Sequence, residues 1–217
     1  GDRARYSALE KILMLGTLGL PVDSSDFMPG LAGDPDSEDF AAEAARRMRL
    51  PRGGLIVGLV PASRRETRRW PAARYAELGR LLRDRHAARL IVFWGPGEEP
   101  LAEEVRAAIG ENAHTSPRTT SLRQLAALLG RCHLVVTNCN GPRHIATARG
   151  IPTVTVHGSS DPDAWNPPDD PRHAVARLGE LHCIGCRLND CPTQIECLRD
   201  LPAERVLAAC EKVLAVG

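Results

Sequence analysis

Between Asn138 and His144 the sequence reads N-C-N-G-P-R-H, and these residue types suit one kind of chemistry, the holding of an anion. Gly141 lets a ligand approach the backbone closely, and Arg143 and His144 ride on the first turn of whatever follows Pro142. If that is a helix, its free N–H groups and the positive end of its dipole favour negative charge. A diphosphate fits such a turn. The competing interpretation is a plain Asn140-Gly141-Pro142 turn with His144 as an ordinary surface histidine, and short glycine turns alone do not decide between the two.

Three further groups could do chemistry. Arg64, Arg65, Arg68 and Arg69 precede Trp70-Pro71, and clustered arginines beyond a strand end can clamp a diphosphate through bidentate hydrogen bonds or simply form a solvated basic loop. Glu98 follows the turn Gly95-Pro96-Gly97, where a carboxylate stabilises the N-terminus of a following helix. Cys183, Cys186, Cys191 and Cys197 stand at the spacing C-x2-C-x4-C-x5-C. Four soft ligands in one compact loop suit a structural zinc ion, although the usual zinc ribbon separates its pairs more widely. Reduced thiols and two disulfides are the alternatives, the second disfavoured in a reducing cytosol. An iron–sulfur cluster wants another spacing.

These groups need elements to position them. Leu134 to Val136 is an apolar, β-branched run and reads as a buried strand. Thr137 to Gly141 is the turn, Pro142 suits the first turn of a short helix, Gly150 ends it, and Thr153 to Val156 begins the next strand. Upstream, strands are expected at Leu55–Val60, Leu90–Trp94 and, briefly, Ala113–Ser116. Helices are expected from Ser37 (a near capping box) to Met48, over Ala72–His86 and Pro100–Ile109, and from a Ser121 cap to Leu129 with Leu122, Leu125, Ala126 and Leu129 inward. Pro202–Val216 closes the chain as a helix. Strand and helix alternate, which predicts an α/β fold with a doubly wound, Rossmann-like parallel sheet. After Asp161 the chain reads as irregular through Trp165–Asp170, a loop of the kind that often carries binding residues, with Trp165 either packed beside a ligand or buried in a structural role.

Composition sets limits. The 217 residues suffice for a substantial core. Basic and acidic residues number 28 and 27, so nothing in the charge demands nucleic acid. No apolar run approaches the ~20 residues of a membrane span. The apolar stretch Ile12–Leu20 follows acidic Asp2 and Glu10 and is no secretory signal, so a cytoplasmic protein is expected. Residues 1–33 look like an appendage, with one amphipathic helix over Tyr6–Leu18 and turn formers from Asp23 to Asp36.

The stretch V-V-T-N-C-N-G-P-R-H-I-A-T-A-R-G-I-P-T-V-T-V-H-G-S-S-D-P-D-A-W-N-P resembles the donor-site region of the family-nine glycosyltransferases, the ADP-heptose:lipopolysaccharide heptosyltransferase group. The order of elements is similar from about Gly54 onward. The resemblance implies the C-terminal, nucleotide-sugar-binding half of a GT-B-type glycosyltransferase. Residues 1–36 would be the tail of an N-terminal acceptor domain and its linker, and residues 37–217 the nucleotide-sugar-binding domain with its cysteine-rich loop 183–197. It implies donor contacts by Arg68 (in place of the lysine of a K-x-W-P motif), Glu98, Cys139, Asn140, Gly141, Arg143, His144 and Ser159. An ADP-heptose-like donor is implied, with a glycan or lipid-linked acceptor held by the absent N-terminal domain, which would also supply the catalytic base. Location would be cytoplasmic, peripheral to the inner membrane.

One departure stands out. The family's aspartate falls on Cys139, and a neutral thiol accepts hydrogen bonds poorly, so this site is expected to be either weakened or unusually reactive. Two other functions therefore stay open: a catalytically inactive nucleotide-sugar-binding module, or a zinc-stabilised interaction domain built on the cysteine loop. Beyond structural zinc no cofactor is implied.

Overall fold

The computed structural model describes residues 5–23, 30–51 and 53–216. A first helix, α1 (Ser7–Gly16), precedes the sheet, and the expected turns at 24–29 lie outside the described residues. The body follows as α2 (Pro35–Arg47), β1 (Ile56–Val60), α3 (Ala72–His86), β2 (Arg89–Val92), α4 (Glu99–Ile109), β3 (Ala113–Thr115), α5 (Leu122–Leu129), β4 (Leu134–Asn138) and α6 (Gly141–Ala148). It ends with β5 (Thr153–Val156), α7 (Pro162–Trp165), β6 (His173–Ala176), α8 (Glu196–Arg199) and α9 (Ala203–Leu214). The six strands lie in the order β3-β2-β1-β4-β5-β6 and every pairing is parallel.

Both faces of the sheet are covered, as a parallel sheet requires. On one, Leu59, Leu90 and Val136 pack with Tyr75 and Leu78 of α3, Val105 of α4 and Val206 of α9. On the other, Ile91, Phe93 and Val135 pack with Ala41 of α2, Leu128 of α5 and Ala146 of α6. Strand β1 is buried throughout, which explains its unbroken apolar run rather than an alternating one. Helices α3 and α4 meet where Gly79 has no side chain; a Cβ there would sit 2.5 Å from Ile109.

Four sequence expectations change. Helix α2 starts two residues before Ser37: Asp34 is the cap, its Oδ1 accepting the Ser37 N–H at 3.1 Å, and Pro35 fills the first turn. Leu122 is 70 % exposed rather than buried, because the first turn of α5 stands clear of the sheet although its Ser121 cap is as expected. Asn138 belongs to β4 rather than to the turn after it. The stretch up to Asp170 is not wholly irregular, since it holds α7, and just after it β6, for which no strand was expected, pairs along the outer side of β5 in the register Thr153↔His173 to Val156↔Ala176.

Candidate functional site

In an open parallel sheet, ligands bind beyond the carboxyl ends of the strands, where the strand order reverses. That point lies between β1 and β4 here, whose chain successors leave in opposite directions to β2 and β5. A cavity of about 490 Å³ occupies it. One wall comes from the loop after β1: Ser63, Arg64, Arg65 and Arg68. The other comes from the turn after β4: Cys139, Asn140, Gly141 and His144, with Trp165 of α7 completing the rim.

The basic loop is held from below. Trp70 is fully buried, donates its indole N–H to the Leu201 carbonyl at 3.1 Å and meets Tyr75 edge-on at 4.9 Å. Arg69 turns back to the Ser63 carbonyl, its Nε 2.8 Å away. It braces the loop and leaves Arg64, Arg65 and Arg68 to face the cavity. The Nε of Arg68 is buried without a protein partner.

Asn138 ties the two walls together. Its Oδ1 accepts the Trp70 backbone N–H at 3.0 Å, and its Nδ2 donates to the Pro61 carbonyl at 2.8 Å. Asn140 adds a parallel tie: Nδ2 to the Ala62 carbonyl at 2.9 Å, and Oδ1 accepting from the Thr137 hydroxyl at 2.9 Å. Asn140 is also the residue before α6, yet its side chain caps none of that helix's N–H groups. The first turn of α6 therefore opens into the cavity with its donors uncapped by this residue.

Gly141 lines this cavity and also a second of about 710 Å³. A Cβ at Gly141 would meet nothing beyond its own turn within 4 Å, so it would project into open space. The second cavity is mostly apolar, walled by Val60, Phe93, Trp94, Leu125 and Ile145. Glu98 stands at its edge, one carboxylate oxygen accepting the Gly95 N–H at 2.9 Å. A larger hollow of about 900 Å³ runs between α1, β6 and α9, along the edge of the sheet rather than at its switch point.

Of the residues expected from sequence, Arg68, Cys139, Asn140, Gly141 and His144 meet around one cavity, and Glu98 lines the adjoining one. Arg143 is 0 % exposed and sits behind the wall rather than in it, with Nη2 2.8 Å from Nδ1 of His144. Ser159 is buried outside the cavity lining, its backbone N–H bonded to the Thr67 carbonyl at 3.2 Å. Asp161 is engaged by Arg187 at 2.8 Å. Trp165, for which a place beside the ligand and a buried structural role were both open, is half-buried on the rim and stands edge-on to His144 at 5.9 Å. The tying role of Asn138 was not foreseen, because an asparagine ending an apolar run reads as the start of a turn.

The expected metal centre does not form. Among the described residues no three His, Cys, Asp or Glu side chains are grouped so as to hold a metal ion, and all seven cysteines are free. Cys183, Cys186 and Cys191 come near enough to Cys197 to raise its pKa, which burial and these neighbours push up to about 11. The loop nevertheless turns Cys191 inward on itself: its sulfur accepts the Ile195 N–H at 3.3 Å and lies 3.6 Å from the Thr193 hydroxyl. Those hydrogen bonds lower the Cys191 pKa. Left-handed backbone at Arg187, Gln194 and Ile195 sets these reversals, and Cys186 faces solvent.

Three histidines gather around Arg143, and burial is the first cause of a depressed pKa in each: about 4 for His144, about 3 for His157 and about 4 for His173. The Arg143 charge lowers all three further. Each binds a proton more readily in the unfolded chain than in the folded one. Their contribution to stability is complete above the unfolded value of about 6.5 and shrinks as pH falls toward 4. Melting temperature is expected to decline across that window, before the ion-paired carboxylates such as Asp170 begin to protonate. A flat melting temperature from about pH 6.5 to 4.5 would contradict the assignment.

Comparison with known proteins gives the family and the fold. The family model for glycosyltransferase family 9 (heptosyltransferase) matches residues 3–195. A lipooligosaccharide heptosyltransferase 2 from Campylobacter jejuni is 28 % identical over 169 residues, covering 76 % of this chain and 53 % of the relative. A solved family 9 glycosyl transferase from Veillonella parvula superposes with a TM-score of 0.84 at 23 % identity, over 100 % of this chain and 62 % of that one. The E. coli heptosyltransferase WaaC, solved with ADP-2-deoxy-2-fluoro heptose, superposes with a TM-score of 0.60 at 25 % identity, over 92 % of this chain and 53 % of that one. The chain thus spans about half the length of the relatives it matches.

Proposed function

The chain belongs to glycosyltransferase family 9, and from that premise we propose that it is the donor-binding half of a heptosyltransferase-like enzyme. The observation that carries this reading is the pair of adjoining cavities at the β1–β4 switch point, one basic and one apolar, meeting at Gly141. The diphosphate of a nucleotide sugar takes the basic cavity, between Arg64, Arg65 and Arg68 and the first turn of α6. The base lies among Phe93, Leu125 and Ile145. The Glu98 oxygen not used by Gly95 accepts from a ribose hydroxyl.

In the transfer, an acceptor hydroxyl attacks the anomeric carbon, a new C–O bond forms, and the bond to the diphosphate breaks. Negative charge then grows on the leaving phosphate. The arginines and the α6 N-terminus meet it there without reorganising. The hydroxyl's proton must go to a base. The cavity wall offers arginines, a thiol and a histidine but no carboxylate. We assign the base to an acceptor domain closing over the donor, which also brings the two substrates into line. An ADP-heptose donor and a lipopolysaccharide-type acceptor are the reading favoured by the kinship with heptosyltransferases and by the ligand of the WaaC structure. No helix among the described residues is long and apolar enough to cross a membrane, so contact with a lipid-linked acceptor would be peripheral. Cys139, where the family carries an aspartate, favours a second reading, an inactive binding module.

Calorimetric titration of the chain with ADP, UDP, GDP and ADP-sugars tests the proposal. Saturable binding is expected, without sugar transfer by this chain alone. Arg68→Ala should weaken it about ten- to a hundredfold, the value of one charge-assisted hydrogen bond. No heat with any of these nucleotides at about millimolar concentration, where even weak binding registers, would refute the donor-site reading. Transfer by this chain alone would refute the assignment of the base. If a full-length protein carrying an acceptor domain binds donor yet transfers nothing, the inactive-module reading stands instead.

A further inference from the structure

Arg143 is a buried arginine that the donor-site reading leaves without work. It lies on the first turn of α6, fully enclosed, with Nε and Nη1 lacking protein partners. Burying a guanidinium is costly unless something uses it. Tyr6 shares a side-chain hydrogen bond with it, and the neighbouring imidazole lies against it: Nη2 is 2.8 Å from Nδ1 of His144 and 3.2 Å from Nε2. A guanidinium has donors only and keeps its proton, so the ring nitrogen facing it must be bare. Nδ1, the nearer of the two, is assigned as the acceptor, which puts the ring's single N–H at Nε2. Trp165 stands edge-on to the same ring at 81° and limits its rotation.

We propose that Arg143 is a positioning residue that holds His144 as a neutral imidazole, its one N–H serving as a donor to the anion in the cavity. The proposal rests on the donor-site reading of that cavity. A neutral donor of fixed orientation binds a diphosphate without adding another charge to the three arginines already there. It also keeps that binding from varying with pH near neutrality. The groups around the Arg143–His144 pair all bear on this: Cys139 from the same turn, Lys11 of α1 and Tyr6 just before it, Arg64, Arg65 and Arg68 from the loop after β1, and His157 beyond β5. Most are cationic, and all of the cations oppose a proton on the ring.

The test follows imidazole resonances by NMR in the ligand-free chain, His144 being assigned by its loss in His144→Gln. In the native chain His144 should not titrate between about pH 5 and 8. In Arg143→Met it should titrate appreciably nearer the ordinary value of about 6.5. Arg143→Gln, which keeps a donor of similar reach without the charge, should fall between and serves if the methionine variant does not fold. ADP-glucose, whose diphosphate charge is fixed over this range, is the binding probe. Its affinity should be flat with pH in the native chain, and in Arg143→Met should rise about tenfold as pH falls and the ring gains charge. A native His144 titrating near its ordinary value, or one unmoved in both Arg143 variants, overturns the proposal whatever the ligand does. Absence of ADP-glucose binding in every variant overturns instead the donor-site reading, and with it the anion as the ring's partner.

Discussion

Asn138→Ala is expected to destabilise the chain by about 2–4 kcal/mol and to weaken nucleotide binding by the folded protein more than tenfold, about 1.4 kcal/mol. Asn138 is completely buried and joins the carboxyl ends of β1 and β4 across the point where the sheet reverses. Its amide satisfies the Trp70 N–H and the Pro61 carbonyl at 3.0 and 2.8 Å, with the Val60 and Ala62 carbonyls each 3.4 Å away. Alanine leaves a buried donor and a buried acceptor unpaired, and each such group costs about 1–3 kcal/mol. The same amide fixes the start of the Arg64–Arg69 loop against the turn carrying Gly141. Losing it lets the arginines drift from the α6 N-terminus that they face. Chemical denaturation and calorimetry with ADP, under conditions where the variant is folded, would check both halves. Lost stability with native affinity would mean that Trp70 and Arg69 hold the loop by themselves. Asn138→Asp is a sharper probe: it keeps the acceptor for Trp70 but sets a carboxylate against three carbonyls, so it should be worse than alanine at neutral pH and partly recover in acid.

Asn138 also marks where sequence patterns stop being informative. Strand β4 was legible from Leu134 to Val136 because β-branched, apolar residues have few other places to go. Nothing local distinguishes an asparagine ending that strand from one opening a turn; its role depends on partners at Pro61 and Trp70. The helices with a strong apolar stripe, α3, α4 and α9, were readable for the same reason as β4. Strand β6 was not. His-Ala-Val-Ala is four residues long, follows Pro171 and runs along the sheet edge, where pairing with β5 decides rather than propensity. Leu122 shows the converse, an apolar residue on the expected stripe whose turn happens to project past the sheet. Arg143 was placed at the site by its position after Gly141, but arginine is a surface residue by default, and only the fold reveals it enclosed. In the cysteine loop, spacing showed that four sulfurs share a neighbourhood, and the backbone reversals at Arg187 and Gln194–Ile195 then decided how they face.

Cys139→Asp is expected to tighten nucleotide-sugar binding ten- to a hundredfold, the gain of about one charge-assisted hydrogen bond worth ~1.5–3 kcal/mol. Cys139 leaves β4 at the mouth of the cavity, buried on its wall, beside the Arg143 guanidinium that lacks partners at Nε and Nη1. A thiol offers those nitrogens little, whereas a carboxylate accepts from them and from the N–H groups of the α6 turn. The loop that carries Gly141 and His144 would then be ordered before the ligand arrives, and less of the binding energy would go into ordering it. Repulsion between the new charge and the diphosphate works against this. Arg64, Arg65 and Arg68 line the cavity and Arg143 lies behind it, so one added negative charge leaves three positive charges in excess. Attraction should still win. Cys139→Ser separates the two effects, since a hydroxyl accepts better than a thiol but brings no charge, and it should gain only a fraction of the aspartate's effect. Affinity for ADP-glucose and melting temperature would be measured for all three proteins. A rise in both for the aspartate variant fits loop ordering through Arg143. Higher stability with weaker binding would mean that the carboxylate competes with the phosphate for the same donors. Unchanged binding would mean that this turn does not hold the donor as proposed.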